Sequence, residues 1–147
     1  MASVGAQMPD NVSFGELACG LLGAVADIVQ PRRKGLRMAG AADERRMSKT
    51  VRFIEAHFGE PLSLSRLASE ANMSEFHFLR IFRQVTGLTP HQYLLRRRLR
   101  EAAVRLVTGS ETVLNIALAS GFDDLSNFNR AFRAEFGMNP RAYRGLR

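Results

Sequence analysis

The chain has a single cysteine, Cys19, so no disulfide can close within it and no zinc site can be built from several thiolates. Its three histidines, His57, His77 and His91, are scattered, and no metal constellation forms around them. The side chains offer no catalytic set, and nothing calls for a cofactor. The apolar run from Leu17 to Ala26 is too short to span a bilayer, and no Lys or Arg precedes it to make a signal peptide's basic start. A cytoplasmic protein of a reducing compartment is expected. Acidic residues are also in deficit, with 14 Asp and Glu against 21 Lys and Arg. The resulting net charge of +7 and pI of about 10.9 come mostly from arginine, and phosphate is the natural counter-charge. Many basic proteins never touch nucleic acid, so charge has to be read together with position.

What is present is a repeat. Phe78 to Tyr93, FLRIFRQVTGLTPHQY, returns fifty residues later as Phe128 to Tyr143, FNRAFRAEFGMNPRAY. Seven of sixteen positions are identical: Phe78/Phe128, Arg80/Arg130, Phe82/Phe132, Arg83/Arg133, Gly87/Gly137, Pro90/Pro140 and Tyr93/Tyr143. They fall in a helix body, a helix stop and a new helix start, which marks a duplicated supersecondary unit. Phe78, Phe82 and Val85, and Phe128, Phe132 and Glu135/Phe136, follow the spacing of one helix face, while the arginines fall off it. One face packs, and the other is available for contact.

The 147 residues, 46% hydrophobic, suffice for one ordinary domain with an appendage. Met1 to Ser13 reads as a loose terminus. Between residues 14 and 29, Leu17, Leu21, Leu22, Val25, Ile28 and Val29 recur at helical spacing until Pro31 stops them. That stripe either docks on its own domain or makes a small dimer contact. Pro31 to Arg46 has no periodic apolar face and reads as a linker. Ser48 is expected to cap a helix carrying Val51, Ile54 and Phe58 inward and ending at Gly59. Ser63 then caps a short helix with Leu64, Leu67 and Ala68 inside, Ala71-Asn72 turns the chain, and Ser74 caps a longer helix from Glu75 to Thr86. After Gly87, the pair Thr89-Pro90 starts a linker helix over 90–107 whose buried stripe is Leu95, Leu99, Ala102, Ala103 and Leu106. Arg96, Arg97, Arg100 and Arg105 lie mainly off that stripe. Thr112 caps a helix with Val113, Ile116 and Ala117 inside, and Gly121-Phe122 makes the second turn. Ala117 matches Ala68 at an offset of forty-nine, so the second turn holds one extra residue before the helix from Leu125 to Phe136. Asn139-Pro140 opens a last short helix.

The fold expected is therefore all-α: an extension over 1–46 holding one helix and a linker, then two helix-turn-helix units over 47–88 and 111–147. The helix between them would be a rod of roughly 27 Å. Successive major-groove faces of B-DNA lie about 34 Å apart, so one chain can lay a helix in each of two adjacent grooves.

The stretches LSLSRLASEANMSEFHFLRIFRQVTGLTPHQYLLRRRLREA and IALASGFDDLSNFNRAFRAEFGMNPRAYR resemble the AraC/XylS family of bacterial transcriptional regulators over Met47 to Arg147. The resemblance implies double-stranded DNA as partner, RNA polymerase as a second, and placement on the nucleoid. It also implies that Glu75 to Val85 and Leu125 to Glu135 enter the major groove. By the family's motif Arg80 and Arg130 match base-reading arginines, suited to guanine O6 and N7. Phe76 would meet a thymine methyl, and Ser126, Asn127 and Asn129 join the same surface, while His77 either approaches the DNA or packs beside Phe53. Leu79 departs from the family's usual polar residue there. Arg83 and Arg133 meet phosphate or stay solvated, and the same alternatives hold for Arg96, Arg97 and Arg100. Glu75, Asp123 and Asp124 are expected to serve the helix starts. The alkyl-transfer regulators that share this region need an activated cysteine, and Cys19 has no basic neighbour to lower its pKa. The rival reading is a basic helical adaptor for acidic protein surfaces, polymerase for example, which accounts for charge but not for duplicated spacing.

Overall fold

The computed structural model describes residues 40–146, and these form seven helices and no strand. The helix expected over 14–29 and most of the expected linker lie outside the described residues. In chain order the helices are α1 (Ala41–His57), α2 (Leu64–Glu70), α3 (Glu75–Thr86), α4 (Pro90–Thr108), α5 (Val113–Ala119), α6 (Leu125–Phe136) and α7 (Pro140–Arg144).

The first helix differs from the sequence reading. It starts at Ala41, capped by the backbone of Gly40 alone, so Ser48 is not its cap. Ser48 lies mid-helix and donates its hydroxyl to the Glu44 carbonyl at 2.9 Å, a local bond that any interior serine can make. The earlier start also sets a different inward face. Met47, Thr50 and Ile54 are buried, whereas Val51 and Phe58 are only half covered. Thr50 is tolerated inside because its hydroxyl reaches the Arg46 carbonyl at 3.1 Å.

Elsewhere the caps fall where the residue types put them. Ser63, Ser74, Thr112 and Asn139 each accept from the backbone N–H three residues on. Thr89 and Gln92 complete a reciprocal capping box ahead of Pro90, with bonds of 3.2 and 3.0 Å. The two stops also match. Gly87 and Gly137 take φ of 76° and 74°, and each N–H returns to an arginine carbonyl, Arg83 and Arg133.

The duplication extends into the cores. Phe78 and Phe82 have ring centroids 5.4 Å apart, as do Phe128 and Phe132. Tyr93 meets Phe82 edge-on at 5.8 Å, and Tyr143 meets Phe132 at 5.3 Å. All four phenylalanines are fully buried. Each contributes on the order of 2 kcal/mol through area removed from water. At the stripe's far end Phe136 packs on Tyr143 while Glu135 stays exposed, which resolves the two residues sharing that expected position.

Helix α4 serves both cores. Tyr93 near its start packs in the first unit, and Leu99, Ala102, Ala103 and Leu106 pack with Ile116, Ala117, Phe122, Phe128 and Phe132 in the second. Leu95 is half-buried against that second core.

Candidate nucleic-acid interface

Within each unit a tight turn sets the angle between the short helix and the longer one that follows. In the first, Asn72 adopts φ 51° and the Met73 N–H returns to the Ala68 carbonyl at 3.0 Å. In the second, Gly121 adopts φ 88° and the Phe122 N–H returns to the Ala117 carbonyl at 3.1 Å. The turns are equivalent at an offset of forty-nine, and the caps that follow, Ser74 and Asp124, at an offset of fifty. Asp123 is therefore the inserted residue. Asp124 is the true cap of α6, its carboxylate accepting from the Asn127 N–H at 2.7 Å.

The longer helices, α3 and α6, turn equivalent faces to solvent. On α3, Phe76 is 81% exposed and Leu79 38%, with Arg80 and Arg83 exposed and His77 half-buried. The ring stacked on Phe53 is that of His57, at 4.3 Å. On α6, Ser126, Asn127, Asn129, Arg130 and Arg133 are all exposed. Arg130 donates to the Asn127 side chain at 3.1 Å, and Asn127 itself is anchored through its N–H to Asp124. Among the described residues no carboxylate pairs with Arg80, Arg83, Arg130 or Arg133, so four cations stand ready for an external anion.

The arginines of α4 behave differently, because carboxylates of the protein engage them. Arg97 sits under Glu55 and Glu101 and over the Phe58 ring at 4.0 Å. Arg100 pairs with Glu55 at 3.8 Å, Arg96 with Glu135 at 3.7 Å, and Arg105 with Glu101 and Glu111. Tyr93 donates its hydroxyl to Glu55 at 2.9 Å. Burial, and then the bond and charge of Glu55, push its pKa up to about 12 against a smaller opposing effect of Arg100. Burial alone would raise the Glu101 carboxyl, but hydrogen bonds from Arg105 and Arg97 outweigh it and hold the group below the usual range. Arg97 and Arg100 thus tie α4 to α1.

Arg98 carries no functional signal in the sequence. It lies in a run of three arginines, and nothing in the residue types separates it from its neighbours. In the fold it donates from Nε to the Phe58 carbonyl at 2.7 Å and from Nη2 to the Glu60 carbonyl at 2.8 Å. The Phe58 carbonyl is left open at the end of α1, and that of Glu60 lies in the loop just beyond it. Among the described residues no cluster of His, Cys, Asp and Glu can hold a metal ion, and no helix is long and apolar enough to cross a membrane.

Residues 67–145 match the profile of a family described as "Helix-turn-helix domain". The HTH-type transcriptional activator AarP of Providencia stuartii is 35% identical over 98 residues, which cover 67% of this chain and 73% of that protein. A transcriptional regulator with an AraC-type DNA-binding domain, from Chromobacterium violaceum, superposes with a TM-score of 0.67 at 31% identity, over 73% of this chain and 96% of that one. This chain belongs to the AraC/XylS family. The DNA-binding domain of the global transcriptional factor AdpA, in complex with a target DNA, superposes with a TM-score of 0.67 at 32% identity, over 69% of this chain and 91% of that one. The Right origin-binding protein of Escherichia coli K12 is 39% identical over 92 residues, 63% of this chain. Here the chain spans about a third of the relative's length, 32%. The AraC-type region thus holds two helix-turn-helix units, with α3 and α6 as the longer helix of each.

Proposed function

We propose that this chain is a sequence-specific, double-stranded DNA-binding transcription regulator that lays α3 and α6 in successive major grooves. The observation that carries the proposal is the pair of equivalent helix faces, each with two exposed arginines at matching positions, mounted at the two ends of one continuous helix. Arg80 and Arg130 are the base readers, and guanine is the base whose two acceptors fit a guanidinium fork. Phe76 and Leu79 offer apolar contact to thymine methyls, and Ser126 and Asn129 offer hydrogen bonds to base edges. Arg83 and Arg133, one turn farther on, serve phosphate. Arg96 remains a candidate phosphate contact through its exposed position, whereas Arg97 and Arg100 support the site by bracing α4.

The proposal extends to the rest of the chain. Residues 47–147 act as the DNA-binding domain, and the stripe over 14–29 lets two chains pair. RNA polymerase is the second partner, the cytoplasmic nucleoid the location, and no catalytic step is involved. Selection of bound sites from a random DNA pool under competitor tests the reading. Two short blocks about one helical turn, roughly 34 Å, apart are expected. A single block, or two blocks half a turn apart, overturns the two-groove arrangement. Absence of any preferred sequence would favour the adaptor instead.

A further inference from the structure

We propose that Arg98 and Gly121 form a joint that fixes one recognition helix relative to the other, and so selects the spacing between the two blocks of the DNA site. The proposal rests on the two-groove reading, and its geometry comes from three parts of the chain meeting at one guanidinium. Arg98 projects from the linker helix α4 and holds two carbonyls at the end of α1, those of Phe58 and Glu60, at 2.7 and 2.8 Å. The other side of the same contact is the turn of the second unit. A Cβ placed on Gly121 would lie 2.8 Å from Arg98 Nε, 3.0 Å from its Cζ and 3.0 Å from the Phe58 carbonyl oxygen. Gly59 continues the seam, since a Cβ there would come within 3.6 Å of the Ala119 carbonyl oxygen. The first unit, the linker and the second unit are thus in contact at Arg98.

One feature of the sequence acquires a reason from this contact. Gly121 supplies the left-handed φ of its turn, as Asn72 does in the first unit, but only a residue without a side chain leaves room for the guanidinium. Asn72 is exposed and carries a side chain at the equivalent position. Asp123, the one residue inserted relative to the first unit, is exposed just after that turn. Burial pulls the Arg98 guanidinium below its ordinary pKa, and Asp123 opposes that pull. A fixed angle between the units has a direct reading on DNA. Moving one block by a base pair swings it about 35° around the duplex, which a rigid pair of helices cannot follow.

Two measurements test the joint. In the first, Cys19→Ser is combined with Arg83→Cys and Arg133→Cys, nitroxide labels are attached, and the distance between α3 and α6 is measured by electron double resonance without DNA. A narrow distribution is expected for the parent and a broadened or shifted one for Arg98→Met, with Arg98→Lys in between. Gly121→Ala, which crowds the same guanidinium and the Phe58 carbonyl, should shift or broaden it as well. Unchanged distributions in both Arg98→Met and Gly121→Ala overturn the joint. In the second, the unlabelled proteins are titrated against duplexes whose two blocks are moved together or apart by one or two base pairs. The parent should lose about tenfold per displaced base pair, as for a mismatched pair, and Arg98→Met should flatten that dependence while binding each isolated block as before. An equally steep dependence in Arg98→Met overturns the joint alone. A parent indifferent to spacing, with a narrow label distance, overturns the two-groove reading while leaving the rigid contact standing.

Discussion

At the scale of single residues, the distinction that matters is between arginines with an internal carboxylate and arginines without one. Arg97 and Arg100 have their charge met by Glu55 and Glu101, so removing either breaks a tie between helices. Arg80 and Arg130 face outward, and replacing either by alanine should cost about 1 to 3 kcal/mol of DNA binding and relax choice at one base position. Arg96→Ala should instead weaken all sequences alike, and titration against single-base variants of the site separates the two outcomes. A uniform loss for Arg130→Ala would reassign it to phosphate. Tyr93 gives a second residue-level prediction. Its folded pKa of about 12 lies above the ordinary value of 10.0, so the folded state holds the phenol proton more tightly than the unfolded one. The stability it contributes is complete below pH 10 and is lost as pH rises toward 12. Tyr93→Phe should cost about 1 kcal/mol at neutral pH through the lost bond to Glu55 and should show a shallower alkaline decline in urea titrations. An equal decline in both proteins would assign it to other groups. Glu101 works at the other end of the scale. Its lowered carboxyl pKa adds stability above the ordinary carboxylate range that is lost as pH falls through the folded value.

The same element appears twice at the next scale, and its stops can be compared directly. Gly87, Gly121 and Gly137 all have positive φ, but a Cβ at Gly87 or Gly137 would meet nothing within 4 Å. Gly137→Ala should therefore cost only the backbone strain, about 1 kcal/mol. Gly121→Ala adds the collision with Arg98 and the Phe58 carbonyl and should cost clearly more in thermal or urea unfolding. Equal losses at the two positions would mean that Arg98 yields at no cost. The caps follow another logic. Ser74 and Asp124 do the same work on α3 and α6 with different side chains, because a cap needs only an acceptor within reach of the N–H three residues on. Ser48 illustrates the limit of that rule. It is a good cap by type, but the helix had already begun at Ala41, and a serine inside a helix turns its hydroxyl back to a carbonyl.

For the whole molecule, the caps, turns and packing faces of both units lie between Gly40 and Leu146. A chain truncated to begin at Gly40 should keep its helical content, its melting temperature and its affinity for a single site. On paired sites the full chain should bind more tightly, by about a hundredfold where two chains are tethered through the stripe over 14–29. Sedimentation and binding to single and paired sites make the comparison. Unfolding of the truncated chain would assign the leading region to the core, and monomers of equal affinity would remove the dimer.

The sequence by itself determined what depends on local chemistry and period. The duplicated phenylalanines, the glycine stops, the cap-proline starts and the offset of forty-nine at Ala117 are each a statement about neighbours within a few residues, and they sufficed for the two units, the linker helix and the faces left outward. The start of α1 was not legible, because Ala41 to Arg46 has no apolar period and is helical only as the leading turns of a helix whose Met47 and Ile54 find a core. The division of labour among Arg96, Arg97, Arg98 and Arg100 was decided by tertiary structure alone. Four arginines on one helix are chemically alike, and only the arrival of Glu55, Glu135 and the carbonyls of Phe58 and Glu60 from distant parts of the chain gives each a different partner.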